Sequence, residues 1–155
     1  MNDTLANVFK GQNRFVMIGW LLLVFLPTWQ YTPSIIMIVV LTICAFYSYF
    51  ILFGQSYDES ARKPHYKDFG SLAGVLKLFS NARVVLAGWL HYLAFDLLIG
   101  LFIVMDSQQH AISHFMILPV LFLSLMIGPA GLLCYFILRV FYTGNLFDLT
   151  WFIPS

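Results

Sequence analysis

The sequence predicts an all-α integral membrane protein, a four-helix bundle with a short interfacial helix between its second and third spans. Three observations carry that class. Only 10% of the residues are charged and 61% are hydrophobic, whereas a soluble domain carries about 25% charged residues. Several apolar runs approach the roughly 20 residues that a helix needs to cross a bilayer. Lys and Arg also segregate: a four-span arrangement puts every one of them on a single side. The bundle uses the whole length, residues 1–155, as one membrane domain. A net charge of +1 gives no electrostatic footprint for nucleic acid.

The first span covers about residues 4–27. Its apolar centre, Phe15–Leu26, is too short alone, so the helix must begin upstream through Leu5 and Phe9. Lys10 and Arg14 then snorkel to headgroups or line a polar cleft. Trp20 and Trp29 read as interfacial or packing aromatics. The second span covers about 32–54, opened by Thr32 and Pro33 as N-cap and first helical residue. Tyr47 and Tyr49 near its end fit an aromatic belt. Residues 55–81 form the main loop. Within it Leu72, Val75, Leu76 and Phe79 share one helical face, which fits a helix lying in the membrane interface or a lid on the bundle end. The third span covers about 83–106 and the fourth about 115–141, with a kink expected at Gly128-Pro129. Cys44 and Cys134 lie in apolar runs as free thiols.

Lys10, Arg14, Arg62, Lys63, Lys67, Lys77, Arg83 and Arg139 all fall on the side shared by both termini and the 55–81 loop. The positive-inside rule makes that side cytoplasmic. The N-terminus holds Asp3 and is followed by no small-residue cleavage pattern, so the first apolar segment is expected to stay in the mature chain. The expected location is a bacterial inner membrane, crossed several times.

The third span carries His91 and Asp96 inside its apolar run. An Asp at a helix centre costs roughly 2.5–3.5 kcal/mol on insertion scales, and an intramembrane ionisable group is by default a functional hypothesis. Antiparallel packing sets Asp96 opposite Ile127–Gly128, where a Pro129 break and small residues make room for a ligand. His91 and Asp96 are candidate acid–base groups, with Trp89, Tyr92, Gly128 and Pro129 as candidate substrate contacts. A structural polar clamp is the alternative. A weaker pattern, Asp106-x3-His110-x3-His114, would line one face as a metal site if the helix continued, but this stretch must also reverse the chain. No cofactor motif or phosphate loop is present in the sequence.

The stretch Gly88-Trp-Leu-His-Tyr-Leu-Ala-Phe-Asp-Leu-Leu-Ile-Gly100, followed by Asp106, His114, Pro119 and Gly128-Pro-Ala-Gly-Leu-Leu133, resembles the abscisic acid-deficient-four-like membrane proteins. Leu5-Ala-Asn7 and Gly19–Pro27 fit the same pattern. The plant members are plastid proteins needed to make neoxanthin from violaxanthin. The resemblance implies a membrane-embedded carotenoid isomerase that opens an epoxide to an allenic alcohol, using an acid on oxygen and a base for a C–H. It also implies a long apolar isoprenoid or carotenoid as partner. The chain departs from the family pattern at Thr28, Leu101, Phe102, Val120 and Ser124. A non-catalytic pigment- or lipid-binding factor and a small proton-coupled carrier are the competing readings. A bundle of this size leaves room for a homodimer.

Overall fold

The computed structural model describes residues 3–54 and 66–145. Its elements are α1 (Asp3–Phe25), α2 (Thr32–Leu52), a 3-10 helix (Tyr66–Gly70), α3 (Leu72–Leu78), α4 (Ala82–Gln109), α5 (His114–Met126) and α6 (Gly128–Thr143). Helices α1, α2 and α4 are long and apolar enough to cross a membrane. The chain divides into two compact units, Met1–Met17 with Ile38–Ala94 and Ile18–Met37 with Phe95–Ser155.

In the first unit the end of α2 is closed by a buried cation. Arg83 Nη1 donates to the Phe50 carbonyl at 3.1 Å, one of the last-turn carbonyls that a helix leaves without an intrahelical partner. The positive charge also suits the negative end of the helix dipole. The Arg83 stem lies against Gly54, where a Cβ would meet its Cδ at 2.8 Å. Helix α3 starts at Ser71, whose Oγ accepts from the Gly74 N–H at 3.1 Å, as an N-cap should. Leu78 is its buried residue, whereas Leu72, Leu76 and Phe79 of the expected apolar face are exposed, Leu72 at 76%.

In the second unit glycines bring α1 and α4 together. Leu97 occupies the space beside Gly19, and Trp20 and Leu23 the space beside Gly100. Trp20 is therefore a packing residue, buried in the core. Helix α4 ends in a Schellman-type cap: Ala111 N–H donates to the Gln108 carbonyl and Ile112 N–H to that of Ser107. That geometry needs a left-handed residue, and Ala111 supplies it with φ 53°. The following turn is tied to the 24–27 segment. Gln108 Nε2 donates to the Pro27 carbonyl and His114 Nε2 to that of Val24, both at 2.9 Å.

The expected fourth span over 115–141 is not one helix. The chain breaks at Ile127, with φ −150° and ψ 81°, into two helices too short to be counted as spans. Pro129 does not kink a continuous helix. It sits in the first turn of α6, where its missing N–H leaves no intrahelical bond unmade. Helices α5 and α6 fold back on each other so closely that the Ser124 backbone fills the space a Cβ at Gly131 would need. From that tip α6 runs in the same direction as α4. Gly128 lies by Asp96, the Tyr135 ring is 6.3 Å from that of Phe102, and Arg139 reaches His110. The end of α6 therefore returns to the 110–113 turn, so Arg139 lies beside Asp106 and not on the side expected for it. Gly144, with φ 69°, closes the helix.

Candidate active site

Two carboxylates of α4 are buried in the second unit, and their surroundings differ. Asp96 is 5% exposed. Its carboxylate fills the space that a Cβ at residue 128 would occupy, so only glycine lets the first turn of α6 come so near. This is the register expected from antiparallel packing of α4 against the segment leading to Gly128. Ser124, which packs against Gly131 where α5 meets α6, has a buried Oγ with no hydrogen-bond partner among the described residues.

Asp106, Tyr135 and Arg139 are each fully buried. Tyr135 donates to Asp106 Oδ2 at 2.5 Å, and Arg139 Nε approaches the same oxygen at 3.3 Å. Arg139 Nη2 donates to His110 Nε2 at 2.7 Å. A guanidinium cannot accept, so this bond requires a neutral His110 that carries its proton on Nδ1. The 3.7 Å approach of His110 Nε2 to Asp106 Oδ1 is then not a hydrogen bond. The group balances one negative against one positive charge and ties the two ends of α4 and α6 together.

The other sequence-predicted residues each have neighbours of their own. His91 is exposed, with its ring 5.9 Å from that of Tyr47. Five residues along one helix place it about 140° around the axis from Asp96. Trp89 stacks on Tyr92 with centroids 5.3 Å apart and donates to Asn13 Oδ1 at 3.2 Å. It lines an apolar groove of about 540 Å³ with Leu5, Phe9, Lys10 and Leu86. Gly128 and Pro129 are at the hairpin tip. His114 is directed to the Val24 carbonyl, so the Asp106-x3-His110-x3-His114 pattern does not converge. No group of three metal-ligating side chains occurs among the described residues.

Sequence reasoning missed Tyr135 and Arg139. The available signal was electrostatic: a lone Arg in an apolar segment seeks a carboxylate, and Asp106 ends the preceding run. Assigning Arg139 to the cytoplasmic side by charge counting hid that pairing.

Span-length apolar helices, a helical hairpin and buried carboxylates define a helical membrane protein with an internal polar site. The chain belongs to the ABA DEFICIENT 4-like family, whose model matches residues 7–135. That match includes Asp96, Asp106, Gly128 and Tyr135. No curated protein and no solved structure matches the chain.

Proposed function

We propose that the protein is a membrane-embedded acid–base isomerase acting on a carotenoid or a related isoprenoid lipid, with Asp96 as its proton-transfer group. The observation that carries this reading is the Asp96 carboxylate held within the apolar unit against Gly128. In the epoxide-opening reaction of the resembled family, no proton is gained or lost overall. One carboxylate can therefore serve twice. It takes the proton from a polyene carbon, the freed electron pair forms the new C=C bond and breaks the C–O bond, and the proton goes to the resulting oxygen. His91, on another face of α4, is not needed for this cycle. The chemistry requires neither a cofactor nor a metal.

Violaxanthin supplied to the purified protein in lipid nanodiscs tests this, with products separated chromatographically. Turnover is expected in the native protein, lost in Asp96→Asn and retained in His91→Gln. Absence of turnover alongside a stably bound pigment would favour the second reading, a non-catalytic pigment-binding factor. The polar lock at Asp106 supports that reading, because it demonstrates that this chain also uses buried carboxylates structurally.

The same proposal sets the membrane arrangement. Three spans plus a hairpin that enters and leaves on one side put the C-terminus opposite the N-terminus. Lys10, Arg14, Lys77 and Arg83 stay with the N-terminus on the cytoplasmic side. Arg139 is the exception, and Asp106 neutralises it. Helix α3, with Leu72, Leu76 and Phe79 exposed, lies in the interface. Tags at the two termini are expected to be accessible from opposite faces of sealed vesicles. Accessibility from the same face would restore the four-span arrangement.

A further inference from the structure

Two arginines among the described residues are buried, and only one of them has a counter-charge. Arg139 lies against the Asp106 carboxylate. Arg83, in the first turn of α4 and 4% exposed, has no ion pair among the described residues and donates to the uncharged Phe50 carbonyl. That bond uses Nη1. The edge formed by Nε–H and Nη2–H is left over, with Nε buried and without an acceptor among the described residues and Nη2 as its more accessible end. Asn81, two residues earlier, repeats the pattern. Its Oδ1 caps α4 by accepting from the Arg83 backbone N–H at 2.9 Å, while its buried Nδ2 has no acceptor among the described residues.

We propose that Arg83 and Asn81 form a binding site for a phosphate oxyanion at the N-terminal end of α4. A buried charge is costly unless it is paired, and each buried donor left without an acceptor adds a desolvation penalty of its own. An oxyanion offsets both. The Nε/Nη2 edge of a guanidinium offers two parallel N–H bonds, the geometry that carboxylates and phosphates accept. Asn81 Nδ2 adds a further donor, and the first-turn N–H groups and dipole of α4 favour the same negative charge. Donors from the guanidinium, the amide and the backbone suit a phosphate, which has more oxygens to offer than a carboxylate. The depth suits a headgroup. Arg83 joins the start of α4 to the last turn of α2, two helices of span length, so it lies where spans give way to headgroups. Basic pockets between spans on the cytoplasmic side bind anionic headgroups. The inference uses none of the residues of the isomerase reading and stands apart from it.

The test titrates the full-length protein in detergent with phosphatidylglycerol, counting bound lipid by native mass spectrometry and following the unfolding temperature. Parallel samples receive inorganic phosphate. Arg83→Gln removes the charge and the fork. Asn81→Asp keeps the Oδ1 cap but sets a carboxylate where the amide donor was, giving Arg83 a counter-charge within the chain. Lys77→Gln removes an exposed charge near the same helix end. Arg83→Gln and Asn81→Asp are each expected to lower lipid affinity about tenfold or more, while Lys77→Gln binds as the native protein does. Added lipid should raise the unfolding temperature of the native protein and of neither site variant. Without lipid, Asn81→Asp should be more stable than the native protein, so it decides the matter where Arg83→Gln does not fold. Lipid binding with no response to inorganic phosphate identifies a headgroup site, and an equal response to inorganic phosphate identifies a free-phosphate site. Native-like binding of both probes by a folded Arg83→Gln or by Asn81→Asp would overturn the proposal. So would an equal loss in Lys77→Gln, or binding of neither probe by the native protein. A loss of lipid-free stability in Asp58→Asn/Glu59→Gln equal to that in Arg83→Gln would give the edge to the chain's own carboxylates and overturn it as well.

Discussion

Asp96 and Asp106 are the same residue type, buried on one helix and within one unit, yet they are built into different surroundings. Asp106 is held by the Tyr135 hydroxyl and the Arg139 guanidinium, with His110 behind them. Its charge is balanced and its geometry fixed by longer side chains from α6. Asp96 lies against a glycine at the tip of a hairpin. A carboxylate locked by a cation and a phenol is suited to hold two helices in register. One set against the glycine at a hairpin tip is the one to which the proposed chemistry is assigned. Burial alone therefore does not distinguish structural from reactive groups in an apolar protein. What surrounds the carboxylate does.

The contrast can be broken at its structural end first. Arg139→Leu leaves Asp106 buried without its cation, and removing one partner of a buried pair costs about 3–5 kcal/mol. Thermal unfolding in detergent should show the largest drop of any variant named here. The double variant Asp106→Leu/Arg139→Leu should recover most of that loss, because neither charge is then stranded. A drop in Arg139→Leu no larger than that of an exposed substitution would remove the lock.

Gly128→Val tests the reactive end. The new side chain must displace the Asp96 carboxylate, and overpacking of this kind costs ~1–3 kcal/mol. Turnover should fall far more than stability does, since the displaced group is the one proposed to react. Tyr135→Phe removes one hydrogen bond to Asp106 and should lower stability by about 1 kcal/mol, with turnover retained. An equal loss of turnover in Tyr135→Phe and Gly128→Val would erase the distinction between the two carboxylates. The smallest effect is expected at the cap that ends the Asp106 helix. Ala111 holds a left-handed conformation that costs a non-glycine residue about 1 kcal/mol. Ala111→Gly should therefore raise the unfolding temperature slightly, the relief being partly offset by the greater freedom of glycine in the unfolded chain.

Much of this was legible in the sequence, for reasons that can be traced to single residues. The apolar runs and scarce charges identify the helices that reach span length, and an Asp in such a run stands out because leucine would pack better. The placement of Asp96 opposite Gly128 follows from helix rise alone. The hairpin was not legible. A break at Ile127 and a kink at Pro129 leave the same apolar pattern, and only the Gly131–Ser124 approach shows that the second half turns back. That reversal carries Arg139 to Asp106, which charge counting over four spans had excluded. The separation of His91 from Asp96 was half legible. The interval of five residues already put them on different faces, but only the burial of one and the exposure of the other show the consequence.

The most direct measurement is a comparison of Asp96→Asn with Asp106→Asn, each assayed for violaxanthin turnover and for thermal stability in the same nanodiscs. The account predicts that Asp96→Asn abolishes turnover with an unfolding temperature close to native. It predicts that Asp106→Asn, which strands Arg139, lowers the unfolding temperature markedly while the folded fraction still turns over substrate. Native-like turnover by Asp96→Asn would contradict the assignment of Asp96 as the reacting group.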